Sequence, residues 1–175
     1  MAEGTTLHPT APDALAPDLE RRRTIRLVNY WLSLRWSGRG PFFRDFQPEL
    51  NRVPWADSFL AYLGGKPEEI SFEHVGDGIA PIFRPKGTNL PERDWLLEAI
   101  ATRCGDIKGT LDCGRPAHRD GSFVLSDGSL VQYRSVLLPF VDEEHAPRYL
   151  LGAVTYRLQR PQAIVIPLRR PTPGR

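Results

Sequence analysis

The chain has 175 residues, enough for one ordinary domain with tails. Apolar residues make up 41% and charged residues 25%, which excludes wholesale disorder, and the net charge of +2 gives no reason to expect a nucleic-acid partner. The apolar runs are far shorter than the roughly 20 residues that cross a bilayer, and no signal-peptide pattern opens the sequence, so we expect a cytoplasmic protein without a membrane span.

The N-terminal part is predicted to be a tail followed by a helix. Residues 1–17 hold three prolines among small residues without a regular period, which indicates a flexible tail. Asp18 is a candidate N-cap, and apolar residues then recur at spacings of three and four. This pattern predicts an amphipathic helix over 18–38. Its apolar stripe includes Leu27, Val28 and Trp31, and its other face carries Arg22, Arg23 and Arg26.

Two short strands are predicted next, after an irregular stretch over 41–56 that prolines interrupt. The first strand covers 59–63 and the second covers 70–75, where apolar and polar residues alternate. The turn Gly76-Asp77-Gly78 ends the second strand.

The middle of the chain is predicted to be mostly helical at first. Residues 79–90 contain two prolines and fit only short helical turns. A longer helix is expected from Pro91, with Asn89 as its candidate cap and Gly105 at its end. Residues 105–120 are rich in glycine and charge, which predicts a loop or a weak strand.

The last third of the chain is predicted to form an antiparallel meander. Asp127-Gly128 is a tight-hairpin signal, and β-rich runs follow over 130–141 and 149–158. A basic, proline-rich tail over 160–175 closes the sequence and contains one apolar stretch, 163–166. The order of elements predicts an α+β domain over 18–159, with a single antiparallel sheet of about five strands covered by helices.

Four phrases of the sequence resemble one protein family. They are 30–35 (YWLSLR) with Gly40-Pro41, 72–79 (FEHVGDGI), 113–116 (CGRP), and 134–140 (RSVLLPF) with 149–153 (YLLGA). In this order, over residues 20–159, they resemble the PAS domains, in particular the single-domain PAS-like proteins of alphaproteobacteria. Pro81 and Pro85 depart from the family where its pocket-lining helices lie, so no ligand identity carries over.

The resemblance implies a sensory or regulatory module without catalysis, which binds a small ligand or a signalling protein. Such modules are often dimeric through the helix that precedes the sheet, and the family has no fixed cofactor, so none is required here. Helices over a sheet enclose a natural pocket. His74 and Tyr133 are the candidate ligand-binding residues, and Leu27, Val28 and Trp31 are the candidates for self-association.

His74 has a structural interpretation as well. On a regular strand it shares a face with Ile70 and Phe72, which predicts that its side chain points toward the core. A hydrogen-bonded core histidine is then the alternative to a ligand contact. If the chain is an enzyme, His74 and Asp77 are the candidate acid–base pair.

Two further classes of site have weaker patterns. The terminal arginines predict contacts to a nucleotide or another anionic partner; they are Arg21, Arg22, Arg23, Arg26, Arg169 and Arg170. Cys104, Cys113 and His118 are the one compact group of soft metal ligands, but their spacing fits no common zinc pattern, and we expect no metal. No set of nucleophile, base and orienting residue is visible, which predicts a protein that acts by binding.

Overall fold

The computed structural model describes residues 17–34, 40–49, 53–64, 69–84, 87 and 89–161. The tail predicted over 1–17, and the tail over 160–175 beyond its first two residues, lie outside this description. The helices are α1 (Pro17–Leu34), α2 (Ala80–Phe83), α3 (Glu92–Arg103) and α4 (Ile107–Cys113). The strands are β1 (Ser58–Leu63), β2 (Ile70–Val75), β3 (Ala117–Val124), β4 (Leu130–Val141) and β5 (Pro147–Gln159).

The five strands form one antiparallel sheet in the order β2-β1-β5-β4-β3. The prediction of an α+β chain with a single antiparallel sheet of five strands is therefore confirmed. The long strand β5 is the middle strand of this order, and the long strand β4 lies between β5 and β3. The edge strands are β2 and β3. Successive side chains of each strand point to opposite faces, and both faces are partly covered.

The face toward α2, α3 and α4, which we call the helix-covered face, carries the larger core. Its fully buried members include Phe59 from β1, Leu137 from β4 and Leu150 from β5. The opposite face, which we call the outer face, packs against α1 and the segments over 40–49 and 53–55. There Leu27 and Trp31 of α1 cover the middle of the sheet, while most of β3 stays exposed.

The hairpin between β3 and β4 forms where Asp127-Gly128 predicts it. The amide of Leu125 donates to the carbonyl of Ser129, and the amide of Gly128 donates to the carbonyl of Leu125. Gly128 has a φ of 82°, the left-handed conformation that closes a three-residue hairpin loop.

Two local predictions for the middle of the chain are wrong. Residues 107–113 form α4 and not a loop: the Asp106 carboxylate accepts from the Lys108 amide at its start, and Gly114 ends it with a φ of 61°. The sequence pattern for this helix is weak, because the helix has seven residues and buries only Ile107, Thr110 and Leu111. Asn89 does not cap α3, because the N-cap position is Pro91, without a side-chain hydrogen bond.

Candidate functional site

The space between the helix-covered face and its helices is filled by side chains. Large residues from the sheet and from α2, α3 and α4 are fully buried there, including Phe59, Phe83, Leu96, Ile100 and Leu111. Four clefts are lined by residues that the structure describes, and none of them lies among these side chains. These four clefts lie at the surface.

His74 does not share a face with Ile70 and Phe72, so that prediction is wrong. The pairing of β1 with β2 shifts at a β-bulge: Leu60 lies opposite His74, whereas the next residue, Ala61, lies opposite Phe72. Leu60 also lies opposite Leu151, which belongs to the outer-face core. Because directly opposed residues share a face, the bulge turns the His74 side chain to the outer face.

The His74 ring is held by Trp55. Its Nε2 lies 2.9 Å from the Trp55 carbonyl oxygen, so the Nε2–H tautomer donates this bond, and the two rings meet edge to face with centroids 4.8 Å apart. Asp77 is exposed on the following turn, and no hydrogen bond joins it to His74. His74 and Asp77, the candidate acid–base pair, are therefore not hydrogen-bonded to each other.

Tyr133 lies on the helix-covered face, 9% exposed, with its ring centroid 5.9 Å from that of Phe123. Burial, and the nearby Cys104, raise the pKa of its hydroxyl. A Cβ on the facing Gly121 would lie 2.9 Å from the Tyr133 oxygen, so the ring covers the backbone closely. His74 and Tyr133 consequently lie on opposite faces and do not form one site.

The residues predicted for self-association divide into two kinds. Leu27 and Trp31 are 3% and 0% exposed and pack on this chain's own sheet, so they do not face a second copy while α1 stays in place. Val28 is partly exposed beside them. Self-association itself stays a prediction.

Val28 borders the cleft that we call the outer groove, with a volume of about 590 Å³, between α1 and the exposed part of β3 and β4. This volume lies within the range of small-ligand sites. The groove is lined by Thr24, Ile25, Val28 and Asn29 from α1, and by His118, Arg119, Asp120, Arg134, Ser135 and Val136 from the sheet.

The outer groove combines apolar and charged groups. Ile25 is 46% exposed on the helix side, although it is a large apolar residue. On the sheet side, Arg134 is exposed and lies opposite Asp120 on β3 and Thr155 on β5. Within the described part of the chain, Arg134 takes part in no ion pair. An unpaired guanidinium beside apolar side chains suits a carboxylate carried on an apolar group.

The sequence interpretation missed this groove. Gln132, Arg134 and Val136 alternate with the buried Tyr133 and Ser135, so the strand period identifies a partly polar face on β4. Nothing in the sequence shows that α1 crosses the same face and leaves this part of it open. That placement depends on tertiary packing.

The three soft metal ligands that the sequence groups together lie in different parts of the structure. Cys104 lies in the core, Cys113 is exposed at the end of α4, and His118 lies in the outer groove. No group of three metal-ligating side chains occurs among the described residues. Burial raises the pKa of the Cys104 thiol to about 12, so it stays protonated and unreactive.

The basic side chains of α1 are partly engaged with the sheet. Arg23 pairs with Asp57 at 3.4 Å, and burial raises the pKa of this carboxyl in spite of the nearby guanidinium. Arg23 and Arg26 line a second cleft of about 410 Å³ with Trp55 and Asp57. The side chains of Arg21 and Arg22, and the pair Arg169-Arg170, lie outside the described residues.

Two comparisons with known proteins gave no match. No protein-family model fits this chain, and no curated protein resembles it at a significant level. Of the helices that the structure describes, none has the length and apolar character needed to cross a membrane.

Proposed function

We propose that this chain is a non-catalytic, PAS-like regulatory module that binds a signalling-protein partner in its outer groove. The antiparallel sheet β2-β1-β5-β4-β3, with α2, α3 and α4 between β2 and β3 in the chain, is compatible with a PAS-like fold and supports this proposal. Dense burial on the helix-covered face supports the choice of a surface site, because large side chains from the sheet and from α2, α3 and α4 are fully buried there.

The chemistry of the outer groove indicates the part of the partner that it recognises. Ile25 and Val28 offer apolar surface, and Arg134 offers a guanidinium without an ionic partner among the described residues. A peptide segment with an apolar side chain next to a carboxylate satisfies both. The apolar contact supplies binding energy, and the bidentate carboxylate contact fixes the orientation of the bound segment.

The absence of catalysis is part of the same proposal. Among the described residues, the Cys104 thiol is buried and protonated, and the candidate base His74 is bonded to a backbone carbonyl. The Ser135 hydroxyl is directed to the carbonyls of Arg103 and Arg119. Each group thus has a structural partner, which favours a binding role.

A dipeptide titration tests the groove. The probes are blocked leucyl-aspartate and its leucyl-asparagine control, added to isotope-labelled protein while amide shifts are recorded. We expect saturable shifts at Val28, Asp120 and Arg134 with an affinity in the millimolar range, and at least about a threefold weaker response to the control. Shifts confined to the helix-covered core, or none up to about 10 mM, would contradict the proposal.

Matched variants assign the effect to named side chains. Arg134→Ala is expected to remove the preference for aspartate over asparagine, and Val28→Asp to remove binding of both probes. Val124→Asp is the control, because Val124 is exposed on β3 but does not line the outer groove. Equal loss in all three variants would argue against a site in the groove.

Native mass spectrometry tests the filled interior. We expect the purified protein to have the mass of the bare chain, with no visible absorbance. An excess mass that disappears on denaturation would show an enclosed ligand and would overturn the choice of a surface site. The same spectra report whether the protein is a monomer or a dimer.

A further inference from the structure

The outer groove continues along the sheet into a further open cleft, which we call the polar extension. The polar extension has a volume of about 340 Å³ and shares Asp120 and Arg134 with the lining of the outer groove. Its lining also includes Ser122 on β3, Gln132 on β4 and Arg157 on β5. The two clefts therefore form one continuous track across the exposed part of the outer face.

The strand register arranges this track in steps of two residues. Gln132 lies opposite Ser122 on one side and Arg157 on the other, so these three residues share the outer face. Arg134 follows two residues along β4, and Val136, which belongs to the outer-face core, follows two residues further. An extended strand advances about 3.3 Å per residue, so an apolar position and two charged rows follow one another at intervals of about 6.6 Å.

Arg134 and Arg157 bring two positive charges together on this track. Thr155 lies opposite Arg134, and Arg157 lies two residues after Thr155, so the two arginines are diagonal neighbours on one face. The Cβ atoms of such neighbours lie about 7–8 Å apart. Within the described part of the chain, neither guanidinium takes part in an ion pair. Because like charges at this distance repel, the pair favours a ligand that brings a negative charge to each.

Asp120 determines on which side of the track a further negative charge fits. It is exposed on β3 opposite Arg134, and the structure shows no ion pair between the two. A carboxylate bound beside β3 would meet the like charge of Asp120, whereas Arg157 lies on β5, on the other side of β4. The favoured position for a second acidic group is therefore next to Arg157.

We propose that the segment recognised by this track is diacidic, with a second acidic side chain that follows the first after one intervening residue. The first carboxylate contacts Arg134, and the second contacts Arg157 in the polar extension. Side chains two residues apart in an extended peptide point the same way and lie about 6.6 Å apart, close to the diagonal separation of the two arginines. The inference rests on the proposed function, because it adds a second acidic contact to the one at Arg134.

The consequence is that the spacing of acidic residues selects the partner. An apolar side chain against Ile25 and Val28 is a contact that many segments can make. Two carboxylates at a fixed separation are a stricter requirement, and a segment that lacks the second one leaves Arg157 without an anion.

A series of blocked peptides tests the spacing. The probes are Leu-Asp-Ala-Asp, its amide control Leu-Asp-Ala-Asn and its spacing control Leu-Asp-Asp-Ala, titrated into the isotope-labelled full chain beside leucyl-aspartate. We expect Leu-Asp-Ala-Asp to bind at least about threefold more tightly than either control, with saturable amide shifts at Gln132 and Arg157.

The outcomes separate this inference from the proposed function. If leucyl-aspartate binds but Leu-Asp-Ala-Asp is no tighter than its amide control, the diacidic inference alone is overturned. Equal affinity of Leu-Asp-Ala-Asp and the spacing control would show that charge decides and spacing does not, which also overturns it. If none of the peptides binds, the proposed function fails and the inference fails with it.

A matched pair of variants assigns the second contact to Arg157. Arg157→Gln is expected to remove the advantage of Leu-Asp-Ala-Asp over its amide control, and the dispersion of its amide spectrum shows whether it is folded. Arg115→Gln removes the same charge from an exposed residue that lines neither cleft, so the advantage should remain. An advantage that survives in Arg157→Gln, or that disappears equally in both variants, would overturn the inference.

Inorganic phosphate separates a diacidic peptide from a phosphate group, which two arginines also suit. We expect phosphate to shift the amides of Arg134 and Arg157 only at concentrations above those at which Leu-Asp-Ala-Asp saturates them. Saturation by phosphate at lower concentrations would assign the arginine pair to a phosphate and would overturn the proposal.

Discussion

The indole nitrogen of Trp31 donates a hydrogen bond to the backbone carbonyl of Pro139, at 2.6 Å and across 108 positions of sequence. Trp31 is fully buried, and Pro139 lies in the central strand β4, opposite Leu150 of β5. The bond therefore fixes α1 against the outer face, near the end of β4. It also sets one wall of the outer groove, because Val28 lies one turn before Trp31 on the same helix.

Trp31→Phe is expected to lower the free energy of unfolding by about 1–3 kcal/mol. The substitution keeps an aromatic ring but leaves the buried Pro139 carbonyl without its donor, and an unsatisfied buried acceptor costs this amount. Urea denaturation measures the change. Leu32→Ala is the control on the same helix: Leu32 is 48% exposed, so a change within about 0.5 kcal/mol is expected. Similar losses in both variants would show that the bond does not anchor α1.

Gly152→Ala is expected to destabilise the sheet through the ring of Phe59. These residues lie opposite each other on β5 and β1, and a Cβ at position 152 would lie 2.1 Å from the Phe59 ring. Overpacking of a core of this kind costs about 1–3 kcal/mol of unfolding free energy, measured by denaturation. In a Phe59→Leu background, Gly152→Ala should lower the unfolding free energy by less than it does in the parent protein. Strictly additive effects of the two changes would contradict this explanation.

Regular strands account for most of what the sequence predicts correctly. The alternation over 70–75, the β-rich run over 130–141 and the Asp127-Gly128 turn predicted strands and a tight hairpin, which the structure contains. The helix α4 was missed because seven residues span only two turns, and Gly109 weakens the pattern. Its cap, Asp106, is a signal that a search for capping residues finds.

The candidate site was less predictable than the sheet. The face of His74 follows from a bulge in the pairing of β1 with β2, and the spacing of residues within β2 does not show such a bulge. Whether helices enclose a pocket or a filled core depends on the fit of side-chain volumes, which no sequence period records. The outer groove depends in turn on where α1 crosses the sheet.

Cys104 and Cys113 are expected to react very differently with iodoacetamide. Cys113 is exposed, whereas Cys104 is 1% exposed and burial raises the pKa of its thiol to about 12. That pKa lowers the thiolate fraction of Cys104 about a thousandfold relative to an ordinary thiol, before any steric protection. In Cys113→Ser we expect no labelling of the native protein and one label after denaturation, measured by mass. Rapid labelling of native Cys113→Ser would show that the core around Cys104 opens.

The loop between β4 and β5 predicts a specific loss of stability in acid. One oxygen of the Asp142 carboxylate accepts from the amides of Glu144 and Ala146, each at 2.9 Å, and the other accepts from Nε of Arg148 at 2.9 Å. Partial burial alone would raise the pKa of this carboxyl, but the hydrogen bonds from Ala146, Arg148 and Glu144 outweigh it and lower the pKa.

Because the pKa of Asp142 is lower in the folded state, the unfolded chain binds the proton more tightly. Its contribution to stability is therefore complete above the unfolded pKa of about 4, and is lost as the pH falls through the native value. Asp142→Asn keeps a side-chain acceptor but removes the charge that Arg148 contacts. We expect the gap in unfolding free energy between the parent protein and this variant to be widest near neutral pH and to narrow below about pH 4, measured by urea denaturation across the pH range. Glu144→Gln, an exposed change in the same loop, should show no such narrowing, and a gap for Asp142→Asn that is constant with pH would refute the role of the ionised carboxylate.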